Sequence, residues 1–203
     1  MSGRVTRDQI VEEADRLFYQ NGFDHTSFAD IAAAVKISRG NFYYHFKTKD
    51  EILEAVIKFR LANTRKLLQQ WETDGNDPEA RIRSFINILI MNRAKIKKFG
   101  CPVGTLCTEL NKLNHESQTD ANKLFTLFRT WLRRQFKLLG READADELAM
   151  HVLARSQGVA TLASAYGDEK FLKHEVKLLT DWLQECVKSV GKRPAGMPVV
   201  RDE

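Results

Sequence analysis

Residues 37–53 read ISRGNFYYHFKTKDEIL, and two tyrosines and a histidine follow one another at positions 43–45. Successive residues on a helix point in different directions, so these three side chains cannot all face one hydrophobic core. Phe42 and Phe46 are four residues apart, and we expect them to face inward. The three residues between them would then face a binding partner; the alternative is a solvated helix surface that happens to be aromatic.

Capping signals divide the first fifty residues into short helices. Ser27 with Asp30, Ser38, and Thr48 with Glu51 all place a hydroxyl where a helix N-terminus needs a hydrogen-bond acceptor. They predict a second helix from about residue 28, a third from about residue 39, and a fourth that continues without a breaker to about residue 71.

The rest of the chain also shows helical periodicity, and no stretch alternates as a strand does. The fifth predicted helix runs to about Phe99, where GCPVG at 100–104 breaks it. The predicted starts of the fifth to ninth helices are Asp77-Pro78, Pro102, Ser117, Asp144 and Asp168. The fold class is therefore all-α with about nine helices, and residues 192–203 are expected to be a disordered tail.

Composition narrows the class of protein. The chain has 203 residues, a net charge of +5 and three cysteines. No apolar run reaches the length of a membrane span, and the N-terminal residues lack a signal core, so we expect a cytoplasmic protein without a membrane partner. The cysteines lack a metal-binding spacing, so neither a metal site nor a cofactor is expected. The positive charge permits nucleic-acid binding without requiring it.

The second and third predicted helices have the arrangement of a helix-turn-helix. In that unit the second helix enters the major groove of DNA with its N-terminal residues foremost. Ser38 can bind a phosphate oxygen, whereas Arg39 and Asn41 carry side chains that read bases or hold the backbone. Lys47 and Lys49 stand at the start of the next helix, where they could hold phosphates.

The stretch TSFADIAAAVKISRGNFYYHFKTKDEIL, residues 26–53, resembles the DNA-binding domain of the tetracycline-repressor (TetR) family. The resemblance implies a homodimeric transcription factor, not an enzyme, whose C-terminal helices form an inducer pocket and a dimer interface. It implies a DNA-binding domain at 1–48 and a ligand-binding and dimerisation domain at 49–191. By position, the family's DNA contacts fall on Thr26, Ser27, Ser38, Arg39, Asn41, Tyr43, Tyr44, His45, Lys47 and Lys49.

One position departs from the family's pattern. The turn between the two helices usually carries glycine where this chain has Lys36. If the backbone there is left-handed, a residue with a Cβ should cost about 1 kcal/mol.

Two further sets of residues are predicted in the C-terminal helices. The small residues and large apolar side chains of the last two helices are typical of a dimer seam, although they would also suit an ordinary core. The predicted interface residues are Ser156, Gly158, Ala160, Ala163, Leu179, Trp182 and Leu183. The predicted pocket residues are Met91, Cys101, His115, Phe125, Phe128, Trp131 and Tyr166.

Cys101 precedes Pro102 and is predicted to be the N-cap of a helix, where the helix dipole can activate a thiol. The segment resembles a Gly-Cys loop of a TetR subgroup, some of whose members respond to electrophiles. An electrophile is therefore one candidate inducer. A small buried cysteine at a tight helix junction is the competing interpretation.

The leading hypothesis is a repressor that binds a palindromic operator in double-stranded DNA as a dimer and is released by a small-molecule inducer. Two alternatives stay open at this point. A thiol-dependent enzyme could use Cys101 as nucleophile and His115 as base. A DNA-binding or architectural protein without an inducer would have helices packed too tightly to hold a cavity.

Overall fold

The computed structural model describes residues 7–188, and all regular secondary structure in this range is α-helical, as predicted. The predicted disordered tail at 192–203 lies outside these residues. The ten helices of the described range are α1 Arg7–Asn21, α2 Phe28–Ala34, α3 Arg39–His45, α4 Lys49–Asp74, α5 Pro78–Met91, α6 Arg93–Phe99, α7 Pro102–Lys112, α8 Gln118–Leu138, α9 Ala145–Tyr166 and α10 Glu169–Lys188.

The predicted caps of α2, α3 and α4 are confirmed. At α2, Ser27 Oγ accepts from the backbone N–H of Asp30, and the Asp30 carboxylate accepts from the Ser27 N–H in return. Ser38 Oγ accepts from the Asn41 N–H at 3.3 Å. Thr48 caps α4 in the same way. These local hydrogen bonds set where each short helix of the N-terminal region begins.

The helix predicted from Asp77 to Phe99 is two helices, because the chain breaks its regular path at Asn92. The side-chain amide of Asn92 donates to the carbonyl oxygen of Ile88 at 3.0 Å. An asparagine that bonds to nearby backbone competes with the regular helical pattern, which explains the interruption. Gly100, with φ +75°, then ends α6 in a conformation that favours glycine.

Two hydrophobic clusters share α4. In the first, α1, α2 and α3 pack on the N-terminal half of α4 and on parts of α7 and α8. Phe42 and Phe46 lie in this cluster with Phe18 and Ile31, as their spacing predicted. In the second, the C-terminal half of α4 packs with α5, α8, α9 and α10. The long helix α4 therefore belongs to both cores.

The turn between α2 and α3 contains Lys36 in the left-handed region, with φ +57°. The Lys36 N–H donates to the carbonyl oxygen of Ala33, so the backbone of the turn is hydrogen-bonded. A side chain with a Cβ costs about 1 kcal/mol in this conformation. Lys36 therefore occupies a position that glycine would adopt with less strain.

Candidate functional site

Helix α3 presents an exposed polar and aromatic face. Asn41, Tyr43 and Tyr44 are exposed, and Tyr44 has 71% of its surface open to solvent. The ring of Tyr43 stacks on Phe28 of α2 at 5.5 Å between centroids. The ring of Tyr44 meets the half-buried His45 edge to face at 5.3 Å. The face is thus held by ring contacts while its polar atoms remain accessible.

The hydroxyls at the starts of α2 and α3 are already engaged. Ser27 and Ser38 are exposed, and each uses its oxygen to cap its helix. The hydrogen bonds from Ser27 lower the pKa of Asp30, which is the reciprocal partner of the α2 cap. Arg39 is the first residue of α3. The predicted DNA contacts of these residues remain predictions.

Thr26 is a correction. Only 1% of its surface is exposed, and its hydroxyl donates to the carbonyl oxygen of Gly22 at 2.6 Å. A buried hydroxyl that already donates to the backbone has no free surface for a phosphate. Thr26 therefore stabilises the turn that precedes α2.

Lys47 and Lys49, both predicted to hold phosphates, differ in their surroundings, and their DNA contacts stay predictions. Lys49 Nζ donates to the carbonyl oxygens of Phe23 at 3.0 Å and Asp24 at 3.2 Å. It also lies 4.3 Å from the centroid of the Phe23 ring. The ammonium of Lys49 is directed back at the loop between α1 and α2. Lys47 is exposed and donates to the carbonyl oxygen of Tyr43, at the end of α3.

A cavity of about 530 Å³ lies between the N-terminal helices and the C-terminal bundle. Its wall draws on α1 as well as on α4 to α9, so residues of the N-terminal region line it directly. The lining residues are Asp15, Arg16, Tyr19, Gln20, Phe59, Arg60, Asn63, Thr64, Leu67, Phe85, Ile88, Leu89, Asn92, Lys95, Ile96, Phe99, Cys101, Pro102, Val103, Leu124, Phe125, Phe128, Leu153, Ser156, Gln157 and Ala160.

Three of the seven predicted pocket residues line this cavity: Cys101, Phe125 and Phe128. The four others are corrections. Met91 and Tyr166 are exposed on the outer surface. His115 pairs with Asp50 and packs against the Phe23 ring, and Trp131 donates to Glu72 at 2.7 Å and packs on Trp71.

Sequence reasoning missed the contribution of α1. Aromatic spacing in the C-terminal half identified candidate residues there, but Tyr19 lines the cavity from the N-terminal helices. Its hydroxyl donates to the carbonyl oxygen of Gly100 at 2.7 Å, and its ring packs on Phe99. Burial raises the pKa of Tyr19 to about 12, so the phenol stays protonated and keeps donating at neutral pH. No local pattern around position 19 signals a contact eighty residues away.

An ion pair crosses the cavity wall from α1 to α4. The guanidinium of Arg60, which is only 9% exposed, donates through Nε to the carboxylate of Asp15. Its Nη1 donates to the carbonyl oxygen of Pro102 at 2.6 Å. Arg60 therefore ties α1, α4 and the start of α7 together at the edge of the cavity.

A second connection holds the loop between α1 and α2. The carboxylate of Glu109, on α7, accepts from the backbone N–H groups of Phe23 and Asp24 at 3.0 and 2.9 Å. Gly22, with φ +90°, brings the backbone so close that an added Cβ would lie 2.9 Å from the Glu109 carboxylate. With Lys49 on the other side, this loop is fixed between α4 and α7.

Cys101 is the N-cap of α7, as predicted, and is half-buried. Its Sγ accepts from the N–H of Gly104 at 3.5 Å. Of the three cysteines, it is the one that lines the cavity. Burial raises the pKa of Cys107 to about 11 and also raises that of Cys186, so these two thiols are poorer nucleophiles at neutral pH.

The predicted dimer residues are mostly core residues of their own chain, which is a further correction. Ser156, Ala160, Ala163, Leu179 and Leu183 are buried inside the helical bundle. A side chain already buried against its own chain has little surface to offer a partner.

The two remaining predicted interface residues differ from these. Trp182 is half-buried and packs on His151 and Phe136. Gly158 is exposed, and a Cβ added there would meet nothing within 4 Å. Only Gly158 is open on the surface of the single chain.

No helix within residues 7–188 has the length and apolarity needed to cross a bilayer. The same residues contain no group of three or more histidine, cysteine or carboxylate side chains arranged to hold a metal ion.

The sequence and the fold both have relatives. Residues 10–56 match the model of the family "Bacterial regulatory proteins, tetR family". The chain is 28% identical to the HTH-type transcriptional regulator TtgR of Pseudomonas putida, over 76% of this chain and 78% of that protein. It is 23% identical to the HTH-type transcriptional repressor DhaR of a Mycobacterium species, over 78% of this chain and 82% of the relative.

Among solved structures, a TetR transcriptional regulator from Legionella pneumophila superimposes with a TM-score of 0.77. The two chains are 25% identical, and the match covers 91% of this chain and 98% of the other. The matching family segment spans the exposed helix α3 and the caps around it. The relatives are transcriptional regulators rather than enzymes. Residues 10–56 therefore match a DNA-binding domain of the TetR family, and most of the chain is similar in sequence and fold to transcriptional regulators of the helix-turn-helix type.

Proposed function

We propose that the chain is a repressor that binds a palindromic operator as a homodimer and leaves it when a small molecule fills the cavity. The observation that carries this proposal is the wall of the cavity, which includes α1 as well as the C-terminal helices. Helix α1 packs in the same core as α3, whose exposed face would read the DNA. A ligand in this position touches both halves of the molecule.

DNA binding and inducer binding are assigned to two successive segments of the chain. The unit at 1–48 would bind DNA through Ser27, Ser38, Arg39, Asn41, Tyr43, Tyr44, His45 and Lys47. Asn41 and Tyr44 would reach base edges, and Lys47 would hold a phosphate, because these side chains are exposed. The unit at 49–191 would bind the inducer and form the dimer.

We propose that the dimer forms through the outer faces of α9 and α10. Helix α9 exposes Met150, Ala154, Gly158 and Leu162 along one side, and α10 exposes Leu178. Gly158 is an argument for this face. Glycine destabilises a solvated helix by about 1 kcal/mol relative to alanine, so its presence there needs a reason. Close approach of a second helix would explain its presence. Two copies are also needed if two α3 helices are to reach successive major grooves, about 34–36 Å apart.

Helix α4 is the proposed connection between inducer and operator. It has 26 residues and is about 39 Å long. Its N-terminal end binds the loop between α1 and α2 through Lys49, and its middle lines the cavity from Phe59 to Leu67. An inducer that favours a different position of α4 would change the spacing of the two reading helices. The inducer must bind that second state more tightly than the DNA-bound state.

The cavity supports this proposal over an architectural DNA-binding protein, for which a tightly packed helical half was the expected feature. A volume of about 530 Å³ suits a small organic molecule. If the inducer is an electrophile, Cys101 is the thiol that it would meet in the cavity. Cys101→Ser should then bind DNA normally and keep it in the presence of thiol-reactive compounds. Continued release of DNA from this variant would exclude Cys101 as the sensor.

The test is fluorescence anisotropy of the full chain with DNA from its own upstream region, beside a scrambled duplex of equal length. We expect saturable preference for the upstream DNA. Tyr44→Ala should bind the upstream DNA about tenfold more weakly, whereas Lys173→Ala, which removes an exposed charge from α10, should bind it as wild type does. Equal and salt-sensitive binding of wild-type protein to both duplexes, at every tested upstream segment, would contradict specific operator binding.

A further inference from the structure

We propose that the cavity takes an amphipathic organic anion whose acidic group binds Arg60 and displaces the carboxylate of Asp15. This inference rests on the proposed function, because it names the chemical class of the inducer and the contact that the inducer breaks. Three features of the wall carry it: its charge, the free donors of Arg60, and its aromatic surface.

The charge of the wall favours an anion. The wall contains one acidic side chain, Asp15, and three basic ones, Arg16, Arg60 and Lys95. Arg16 is paired with Glu13 outside the cavity. Lys95 is exposed at the rim, and no carboxylate within residues 7–188 forms an ion pair with it. An incoming anion therefore meets an excess of positive charge.

Arg60 has capacity for a second acidic partner. Its Nε donates to Asp15 and its Nη1 to Pro102, but no acceptor in the described part of the chain takes a hydrogen bond from its Nη2. A guanidinium matches the two oxygens of a carboxylate or sulfonate with parallel hydrogen bonds. Because Arg60 is almost removed from water, such a pair would be screened less than one on the surface.

A cation would find a poorer site. The one carboxylate of the wall, that of Asp15, is already neutralised by Arg60. A cationic ligand would have to replace Arg60 there and would be repelled by Arg16 and Lys95. The wall therefore favours a negatively charged ligand, because its one carboxylate already has a cationic partner.

The remainder of the wall is suited to the apolar part of such a ligand. Most of its surface is apolar, and the aromatic rings come from five different helices. The phenylalanines of the wall are Phe59, Phe85, Phe99, Phe125 and Phe128. Flat rings pack well against aromatic side chains, so a ligand with one or two aromatic rings and one acidic group fits the wall.

The consequence for DNA binding comes from Asp15. This residue belongs to α1, which packs against α2 and the reading helix in one core. When the acidic group of the ligand binds Arg60 in place of Asp15, α1 loses its ion pair to α4 at the edge of the cavity. The anion would therefore favour the state in which the N-terminal helices are released from their operator-bound position.

The test compares two probes with almost the same ring system in fluorescence titrations of the full chain. One is 8-anilino-1-naphthalenesulfonate, and the other is its uncharged parent, N-phenyl-1-naphthylamine. We expect Arg60→Gln to weaken binding of the anion about 10- to 100-fold and to leave the neutral probe nearly unchanged. Arg65→Gln, an exposed arginine of the same helix that does not line the cavity, is the matched control and should bind both probes as wild type does.

Asp15→Asn provides an independent result that does not depend on how well Arg60→Gln folds. Removing the competing carboxylate should tighten binding of the anion by about tenfold, because Arg60 then lacks its charged partner. Unchanged or weaker binding of the anion to Asp15→Asn would overturn the proposal. Equal loss of anion binding in Arg60→Gln and Arg65→Gln would also overturn it.

The two proposals can fail separately. The probe titrations use free protein, so they give the ligand class even if no operator is found. With operator present, the anion should lower DNA affinity of wild-type protein and have little effect on Arg60→Gln. Specific operator binding together with no preference for the anionic probe would leave the proposed function standing and exclude this inference.

Discussion

Replacement of Lys49 by methionine tests whether this lysine serves the fold or the DNA. The change removes an ammonium that donates to the carbonyl oxygens of Phe23 and Asp24 at 3.0 and 3.2 Å and lies 4.3 Å from the Phe23 ring. Methionine keeps most of the length and apolar surface of the side chain. A lysine whose role is only to bind phosphate would leave the stability of the free protein unchanged.

The size of the effect follows from these contacts. Hydrogen bonds that involve a charged group contribute about 1.5–3 kcal/mol when buried, and an exposed cation–π contact about 0.5–1 kcal/mol. Lys49 is half-buried, and water compensates part of the loss. We therefore expect Lys49→Met to lower the free energy of unfolding by about 1–2 kcal/mol, or Tm by about 2–8 °C for a chain of this length.

The assay combines thermal unfolding with the salt dependence of operator binding, and it uses two control lysines. Lys66→Met removes an exposed charge from the same helix and should change stability by less than about 0.5 kcal/mol. Lys47→Met should reduce the slope of log K against log salt concentration by about 0.9, as expected for one lost phosphate contact. Lys49→Met should keep the wild-type slope, even if its affinity falls.

The reverse pattern would exclude a structural role for Lys49. If Lys49→Met unfolds at the wild-type temperature and loses about one unit of salt slope, the side chain turns towards DNA when operator is bound. The hydrogen bonds to Phe23 and Asp24 would then contribute little to the fold.

Three other predictions concern the turn, the reading helix and the dimer. Lys36→Gly should stabilise the protein by about 0.5–1 kcal/mol, because its φ of +57° suits glycine; chemical denaturation measures this, and an equal gain in Lys36→Ala would contradict it. Tyr44→Ala should weaken operator binding by about tenfold without changing the sedimentation coefficient; loss of the dimer at unchanged DNA affinity would show that the role of Tyr44 was misassigned. Gly158→Arg should convert the dimer to monomers in sedimentation, since an open face would receive a long charged side chain; a stable dimer of this variant would exclude that face of α9.

The short helices of the N-terminal region could be predicted because their signals are local. A serine or threonine cap acts over three residues, and Phe42 and Phe46 share a face because they are four residues apart. At Lys36 the cost of a left-handed backbone is only a conditional prediction, and the φ of +57° meets its condition. For these residues, the interaction that decides the structure lies within one or two turns of the chain.

The partners of polar side chains could not be predicted from such local signals. Lys49 and Lys47 are two residues apart and chemically identical, yet one is bound to the loop between α1 and α2 and the other is exposed. Thr26 was assigned to DNA by position, although its buried hydroxyl donates to the carbonyl oxygen of Gly22. Which partner such a group meets depends on helices that are distant in sequence.

The all-helical class and the N-terminal helix-turn-helix follow from local signals, because caps, breakers and periodicity act between near neighbours. Which face of a helix lies inside depends instead on how distant helices pack. Helix α9 has apolar or small residues on several sides, so its pattern alone could not distinguish the buried Ala160 from the exposed Gly158. The cavity could not be predicted from the sequence pattern either, since its wall joins Tyr19 and Arg60 to residues of α5 to α9. Packing of distant helices creates both surfaces, and no short-range rule specifies which distant helices will meet.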